Sequence, residues 1–545
     1  MGFMSAWKRS RGLRIALGCV AVILVGALLA LLAGTLFGFR LWQKEWKAEG
    51  ETDLAFMEAS IPFLHKADLA QSLPFMAAAA IDIDGDGQDE LFLGGGRTQN
   101  DAILAFRDGA FLDVTSGFGL EKSLPDASMG AASLDIDGDG MTELFVARES
   151  GIWLYRFGDG GAKGERLPLA IADNTVPLSI ALGDVDKDGA VDLYVSGYIR
   201  ADLVKGETIF SDGYGGYSHL FMNGGDNSWH DRSREAGVWR QHNTFTAVFV
   251  DLDNDRDSDL VIAQDTGKVE MYENTGGFPM RSIANPSVYS YPMGIAAGDY
   301  DNDGLIDLYF SNVGHTMPEA LLRGDLDKEA PFNPDYMLFH NEGGLVFEDV
   351  ARALNAARYG FGWGVVFADM NLDGHEDILA AQNYIRFPAN ELLVRYPGKL
   401  LQYYPEERIF MPVERAAGVK NRKFGIAPVI SDFNGDGAPD IVWANLDGPA
   451  RAFLSRDAAK RNWVAVQLPN EARSLNANVR VTTGDGRHIM KQLIASQGLG
   501  SDQSRRMIFG LGESIKVARI TVTFMDGETV SYEAPPLRRT LKVAR

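Results

Sequence analysis

Between residues 77 and 446 the hydrophobic and polar positions come in blocks, not in simple alternation. A run of small and apolar residues (AAAAI, GAASL, SIALG, TAVFV, GIAAG, GVVFA, APVIS) leads into a short acidic stretch. A second apolar run leads out of it (LFLG, LFVA, LYVS, LVIA, LYFS, ILAA, IVWA). The runs are too brief for helices and are bounded by turn residues, so each block predicts two buried strands joined by a polar loop. Alanine and glycine on the incoming strand suit strands that crowd around a common axis.

The acidic stretch is itself a repeat. It reads DIDGDGQDEL from Asp82, DIDGDGMTEL from Asp135, DVDKDGAVDL from Asp184, DLDNDRDSDL from Asp251, DYDNDGLIDL from Asp299, DMNLDGHEDI from Asp369 and DFNGDGAPDI from Asp432. The intervals of 53, 49, 67, 48, 70 and 63 residues leave room for one four-stranded sheet per copy. A further element, FLDVT at 111, WHDRS at 229, VFEDV at 346 and IFMPV at 409, precedes several loops, with AFMEA at 55 as a weaker relative. It predicts an outer strand leading into the next repeat, and MNGGDN, ENTGG and HNEGG just upstream predict tight hairpins. Radial repetition of four-stranded sheets is a β-propeller, so the expectation is an all-β, seven-bladed β-propeller over residues 55–458 with a small β domain at 459–545.

Carboxylates at loop positions 1, 3 and 5 repel one another unless a cation lies between them. With a carbonyl at position 7, a carboxylate at position 9 and a turn-permitting residue at position 6, the loop is an oxygen cage for a hard ion, Ca2+ in preference to Mg2+. The predicted ligands are Asp82, Asp84, Asp86, Gln88 and Glu90; Asp135, Asp137, Asp139, Met141 and Glu143; Asp184, Asp186, Asp188, Ala190 and Asp192; and Asp251, Asp253, Asp255, Asp257 and Asp259. The later loops add Asp299, Asp301, Asp303, Leu305 and Asp307; Asp369, Asn371, Asp373, His375 and Asp377; and Asp432, Asn434, Asp436, Ala438 and Asp440. Up to seven calcium sites follow. A helix-flanked EF-hand is excluded, because position 12 is Phe310 after Asp299 and Trp443 after Asp432, both inside the outgoing strand. Arg256 stands where glycine is expected and marks its loop as the weakest.

Composition fits this picture. Gly at 60 of 545 residues supplies many tight turns. The net charge of -22 argues against nucleic acid as a partner. Positions 1, 3, 5 and 9 hold 26 carboxylates, and without them the chain would carry +4, so the acidity belongs largely to the loops. The only cysteine is Cys19, so no intrachain disulfide exists and metal is the available staple.

The N-terminus is different in kind. Residues 15–39 are 25 uncharged, mostly apolar positions between Lys8, Arg9, Arg11, Arg14 and Arg40. A bilayer needs about 20 residues and a cleavable leader about 7 to 15, so a transmembrane anchor is expected, with residues 1–14 cytoplasmic and 40–54 a linker. The bulk of the chain then lies extracytoplasmic, in the periplasm or outside the cell.

The loops and their flanking strands resemble the FG-GAP and VCBS repeats of integrin α-subunit propellers and their bacterial relatives. NWVAVQLPN from Asn462, NANVRVTTGDGRH, SQGLGSDQS, FGLGESIKVARITVTFMDGE and LRRTLKV resemble the ASPIC/UnbV domain that follows such repeats in the cartilage acidic protein family, with Phe524 at a position often held by tryptophan. The resemblance implies a calcium-stabilised binding or adhesion protein, with loops in all seven repeats where integrin-like propellers carry them in some.

No zinc-type histidine spacing, GxSxG, Walker or dinucleotide fingerprint occurs in a supporting context. A ligand funnel is expected at the strand ends opposite the loops. There the candidates are His242, Asn243, Thr244, Tyr291 and Trp363, beside Met129, Ser179, Met293, Phe361 and Phe424. The expected function is a membrane-anchored calcium-binding module for a protein or glycan ligand. The alternatives are a propeller-based polysaccharide lyase or hydrolase, and an accessory subunit of a membrane complex.

Overall fold

The computed structural model describes residues 22–29 and 49–544 apart from 69–72, 121, 159–160, 206–208, 211–212, 226–227, 386, 388–389, 391–394 and 457–460. The chain divides into two units, Met1–Glu49 and Gly50–Arg545. In the first, residues 22–29 are helical and exposed. The remainder of the predicted span 15–39 lies outside the described residues, and among those described no helix is long and apolar enough to cross a membrane.

The second unit is all β, built from repeated four-stranded antiparallel sheets, an arrangement consistent with a propeller. Each apolar block pair is the first and second strand of one sheet. These pairs are Ala78–Ile81 with Glu90–Leu93, Ser128–Leu134 with Glu143–Arg148, Thr175–Gly183 with Asp192–Ile199, and Thr244–Val250 with Asp259–Gln264. Ile295–Gly298 with Asp307–Phe310, Gly362–Ala368 with Asp377–Gln382, and Phe424–Ser431 with Asp440–Leu446 continue the series. One register recurs throughout: the residue before loop position 1 pairs with position 9, as in Ile81 with Glu90, Gly183 with Asp192 and Ser431 with Asp440. The acidic loop is therefore the turn of a hairpin whose two strands are buried apart from Gly298, Phe367 and Ile430, and position 9 opens the second strand.

The outer-strand element also falls where its pattern predicts. Ala110–Asp113, Trp229–Asp231, Phe347–Asp349 and Ile409–Pro412 are the fourth strands of their sheets. The weaker relative completes the last sheet. Phe56–Ala59 pairs antiparallel with Arg451–Ser455, so the start of this unit closes the sheet that the chain builds last.

Successive first strands pack on one another, and Ala78–Ile81 touches both Ser128–Leu134 and Phe424–Ser431, so the series returns to its start. Their small residues are required by that approach. A Cβ on Gly130 would lie 2.3 Å from the Leu178 carbonyl oxygen of the next sheet, and one on Gly364 would lie 2.8 Å from the Ile426 oxygen.

Residues 463–542 form a three-stranded and a four-stranded sheet around Val479, Val481, Phe509, Ile520 and Phe524. They lie over the acidic loops. Segment 497–503 runs along the first strands: Gly498 exchanges backbone hydrogen bonds with Ile295, and the Gly500 oxygen accepts from the N–H groups of Ala78 and Ala131. Ser501–Asp502 adds a parallel strand beside Ala78 and Ala79, Gln503 Oε1 accepts from the Ile430 N–H, and Leu499 is buried in the main core. Substituting Gly130→Val is expected to cost about 1–3 kcal/mol through overpacking, read as a lower denaturant midpoint for the full chain.

Candidate metal centres at the loop junctions

The seven loops repeat one hydrogen-bond pattern. One oxygen of the position 1 carboxylate, Oδ2, accepts the N–H of position 6, at 3.0 Å for Gly87 to Asp82, 3.1 Å for Gly189 to Asp184 and 2.7 Å for Gly437 to Asp432. The same bond reaches Asp135, Asp251, Asp299 and Asp369. Position 5 accepts the N–H of position 7, as in Gln88 to Asp86, Met141 to Asp139, Ala190 to Asp188 and His375 to Asp373, each 2.8 Å. These bonds turn the backbone so that the position 7 carbonyls of Gln88, Met141, Ala190, Asp257, Leu305, His375 and Ala438 belong to the same tight turn. Position 6 has positive φ in every loop. Arg256 adopts it as well, at 72°, so the loop expected to be weakest keeps the common shape with a side chain in a conformation that favours glycine.

Position 9 is the most buried carboxylate. Asp192, Asp307 and Asp440 are 0 % exposed, and Glu143, Asp259 and Asp377 are 1 %. One oxygen accepts the N–H of position 2, as in Val185 to Asp192 at 2.8 Å and Phe433 to Asp440 at 3.0 Å. In the aspartate loops the other accepts an N–H from the third strand or the residue just beyond it, from Asn223, Asn274, Asn341, Tyr403 and Ser455. Backbone dipoles thus aim the group, and Asp307 has in addition the imidazole of His340 beside it.

The cost appears in the acidities. Burial pushes Glu90, Asp192, Asp259 and Asp299 up to about 8, Glu143, Asp251 and Asp307 to about 7, and Asp82 and Asp184 to about 6. Asp369, Asp377, Asp432 and Asp440 are raised by the same cause. Asp82, Asp184 and Asp301 each keep a buried Oδ1 with no hydrogen-bond partner. Oxygens from Asp82, Asp84 and Asp86 converge within 4.8 Å, as do those of Asp135, Asp137 and Glu143, of Asp184, Asp186 and Asp192, and of Asp251, Asp253 and Asp255. Convergent, partly unpartnered oxygens on a turn that is exposed at its tip and anchored by a buried position 9 fit a hard divalent cation.

Three contributors carry no loop signal. His340, on a third strand, lies with Nδ1 3.1 Å from Asp307 Oδ1 and 4.0 Å from Asp301 Oδ2, and its bond to Asp307 raises its pKa to about 9. Arg506 of the C-terminal domain pairs with Asp432, and the Gly510 N–H donates to Asp369 Oδ2 at 3.1 Å. Loop position 4 also has positive φ throughout, at Gly85, Gly138, Lys187, Asn254, Asn302, Leu372 and Gly435, a Gly/Asn bias visible in the sequence.

The expected funnel residues are mostly enclosed. Asn243 is buried, its Oδ1 accepting the N–H groups of Ile199 and Gly216, while His242 Nδ1 lies 3.0 Å from the Asn243 oxygen. Thr244 pairs with Gln264, and Tyr291 donates to the Leu322 carbonyl. Trp363 sits among Phe75, Phe245 and Tyr384, with ring centroids 5.5, 5.4 and 4.6 Å away. Phe75 reaches Tyr198 and Phe245 too, so the aromatic rings fill this end as core.

Residues 82–146, 135–195 and 251–310 match the FG-GAP-like repeat, and residues 468–545 match ASPIC and UnbV. The chain carries FG-GAP-like repeats and an ASPIC and UnbV domain. The matched FG-GAP-like segments include the loops at Asp82, Asp135, Asp184, Asp251 and Asp299. Cartilage acidic protein 1 of Mus musculus is 23% identical over 513 residues, covering 88% of this chain and 65% of that protein. The Xenopus tropicalis protein of that name is 27% identical over 293 residues, 49% of this chain and 43% of the relative. The chain thus spans just under two thirds of the mouse relative's length. Among solved structures, BBS1N in complex with ARL6DN aligns with TM-score 0.43 at 12% identity, over 75% of this chain and 99% of that one. The V. cholerae biofilm matrix protein Bap1 aligns with TM-score 0.38 at 11% identity, over 83% and 99%.

Because the buried FG-GAP-like loop carboxylates have raised folded-state pKa values, the folded state without metal binds more protons than the unfolded chain between about pH 4 and 8. Stability in chelator is therefore expected to fall as pH rises from 5 to 8, measured by thermal melts, and added calcium is expected to flatten that slope.

Proposed function

We propose that the chain is a seven-bladed β-propeller stapled by calcium at its FG-GAP-like loops and acting outside the cytoplasm as a binding or adhesion module for a protein or glycan. The observation that carries the metal part is the buried, unpartnered Oδ1 of Asp184, 93% shielded from solvent at residue level, in a loop whose one cationic side chain, Lys187, pairs instead with Asp257 of the next loop at 2.8 Å. The ligands are the residues at positions 1, 3, 5, 7 and 9 of each loop that holds an ion. The closed succession of first strands and the terminal strand pairing of Phe56–Ala59 with Arg451–Ser455 support seven blades. The apolar run 15–39 supports retention at a membrane, with the remaining chain on the far side. Calcium is abundant outside cells and replaces the disulfides that a single cysteine precludes. Cartilage acidic protein 1, by its name an acidic protein of cartilage, is a relative whose setting agrees with a binding role.

Calcium binds the folded loops and not the unfolded chain, so calcium at about 100 times its Kd adds about 2.7 kcal/mol per site. A marked rise of melting temperature from chelator to millimolar calcium is expected, smaller in Asp184→Asn; identical melts in both conditions contradict the metal reading. For the binding role, detergent-solubilised full chain is expected to retain partners in calcium and release them in chelator, read by mass spectrometry. A retained set that is the same in both contradicts it.

A further inference from the structure

Among the described residues, the Asp432 loop differs from the others in the arginine that sits on its position 1 carboxylate. Arg506 Nη2 forms an ion pair with Asp432 Oδ2, the two side chains 18% and 1% exposed. Asp432 Oδ1 accepts the Asp436 N–H at 2.9 Å, and Asp436 accepts from Asn434 Nδ2 at 3.1 Å and the Ala438 N–H at 3.0 Å. Asp440 accepts the N–H groups of Phe433 and Ser455. Each carboxylate group here has a donor from the chain, as in the Asp135, Asp251 and Asp369 loops, whereas Asp82, Asp184 and Asp301 each leave a buried Oδ1 without one. Charge runs the same way: three carboxylates with Arg506 leave two negative charges, against three in the Asp184 loop, where four carboxylates share the turn with Lys187. The loop is also covered, since a Cβ on Gly437 would lie 1.9 Å from Trp463 Cζ2, leaving no space on that side for the waters that complete a calcium shell.

We infer that Arg506 is the resident cation of the Asp432 loop, which takes no metal while the C-terminal domain is docked. The inference rests on the calcium reading of the other loops. A guanidinium stays charged at any physiological pH, and a dication beside it meets like-charge repulsion as well as a weaker carboxylate field. Docking of the C-terminal domain and metal binding at this one loop are therefore competing events, and linkage makes the competition reciprocal.

The test is the calcium bound per full-length chain after equilibrium dialysis, measured by elemental mass spectrometry. Asp184→Asn is expected to lose one ion, Asp432→Asn to lose none, Arg506→Gln to gain one, and Arg506→Lys to bind as the parent does. Loss of an ion in Asp432→Asn, or no gain in Arg506→Gln, overturns the inference while leaving the calcium reading intact. No calcium in the parent overturns the reading instead, and melts in chelator then decide the inference. There Arg506→Gln is expected to melt several degrees lower, with Arg506→Lys restoring most of the loss, and an unchanged Arg506→Gln melt overturns it.

Discussion

A carboxylate must be buried at the start of every second strand, because position 9 pairs beside the end of the first strand and both strands are apolar core. An ionised carboxylate in such a place costs several kcal/mol if left without a counter-charge. Backbone N–H groups from position 2 and from the end of the third strand orient it without neutralising it, and its pKa rises in consequence. The loop before it adds carboxylates that converge on the same few ångströms. What resolves that accumulation of charge decides how rigid each sheet junction is, and so how firmly the exposed surfaces are held.

The C-terminal domain meets the same constraint from the other side. It is laid across the loop-bearing ends, with segment 497–503 hydrogen-bonded to first strands of several sheets and Arg506 placed on Asp432. Lys491 pairs with Glu376 at 2.6 Å, and Arg487 donates to the Asp373 carbonyl. Basic residues of one domain thus answer the acidity of the other. With one end covered by this domain and the other filled around Phe75 and Trp363, the outer strands and the connections between sheets remain at the surface.

Much of this was legible in the sequence because it is local and repeated. The small-then-apolar blocks located the first and second strands, the loop placed position 9 at the strand start, and even the weak AFMEA copy took its place as a fourth strand. The contributions of His340, Arg506 and Gly510 were not legible. Each reaches its loop from another strand, at 33 to 141 residues' separation, and no periodicity encodes such a meeting. The expected funnel shows the converse: His242 and Asn243 look chemical in sequence, yet the Asn243 amide oxygen accepts backbone N–H groups of Ile199 and Gly216. The bias of position 4 toward glycine and asparagine was present in the sequence and marks the second left-handed residue of each loop.

The most direct measurement is anomalous diffraction from crystals of the chain grown in calcium. Anomalous peaks are expected within the oxygens of the Asp82, Asp184 and Asp299 loops, where buried oxygens are unpartnered, and none in the Asp432 loop beside Arg506. Loops that show no peak at saturating calcium, with their carboxylates hydrogen-bonded only to the chain and water, would contradict the calcium reading.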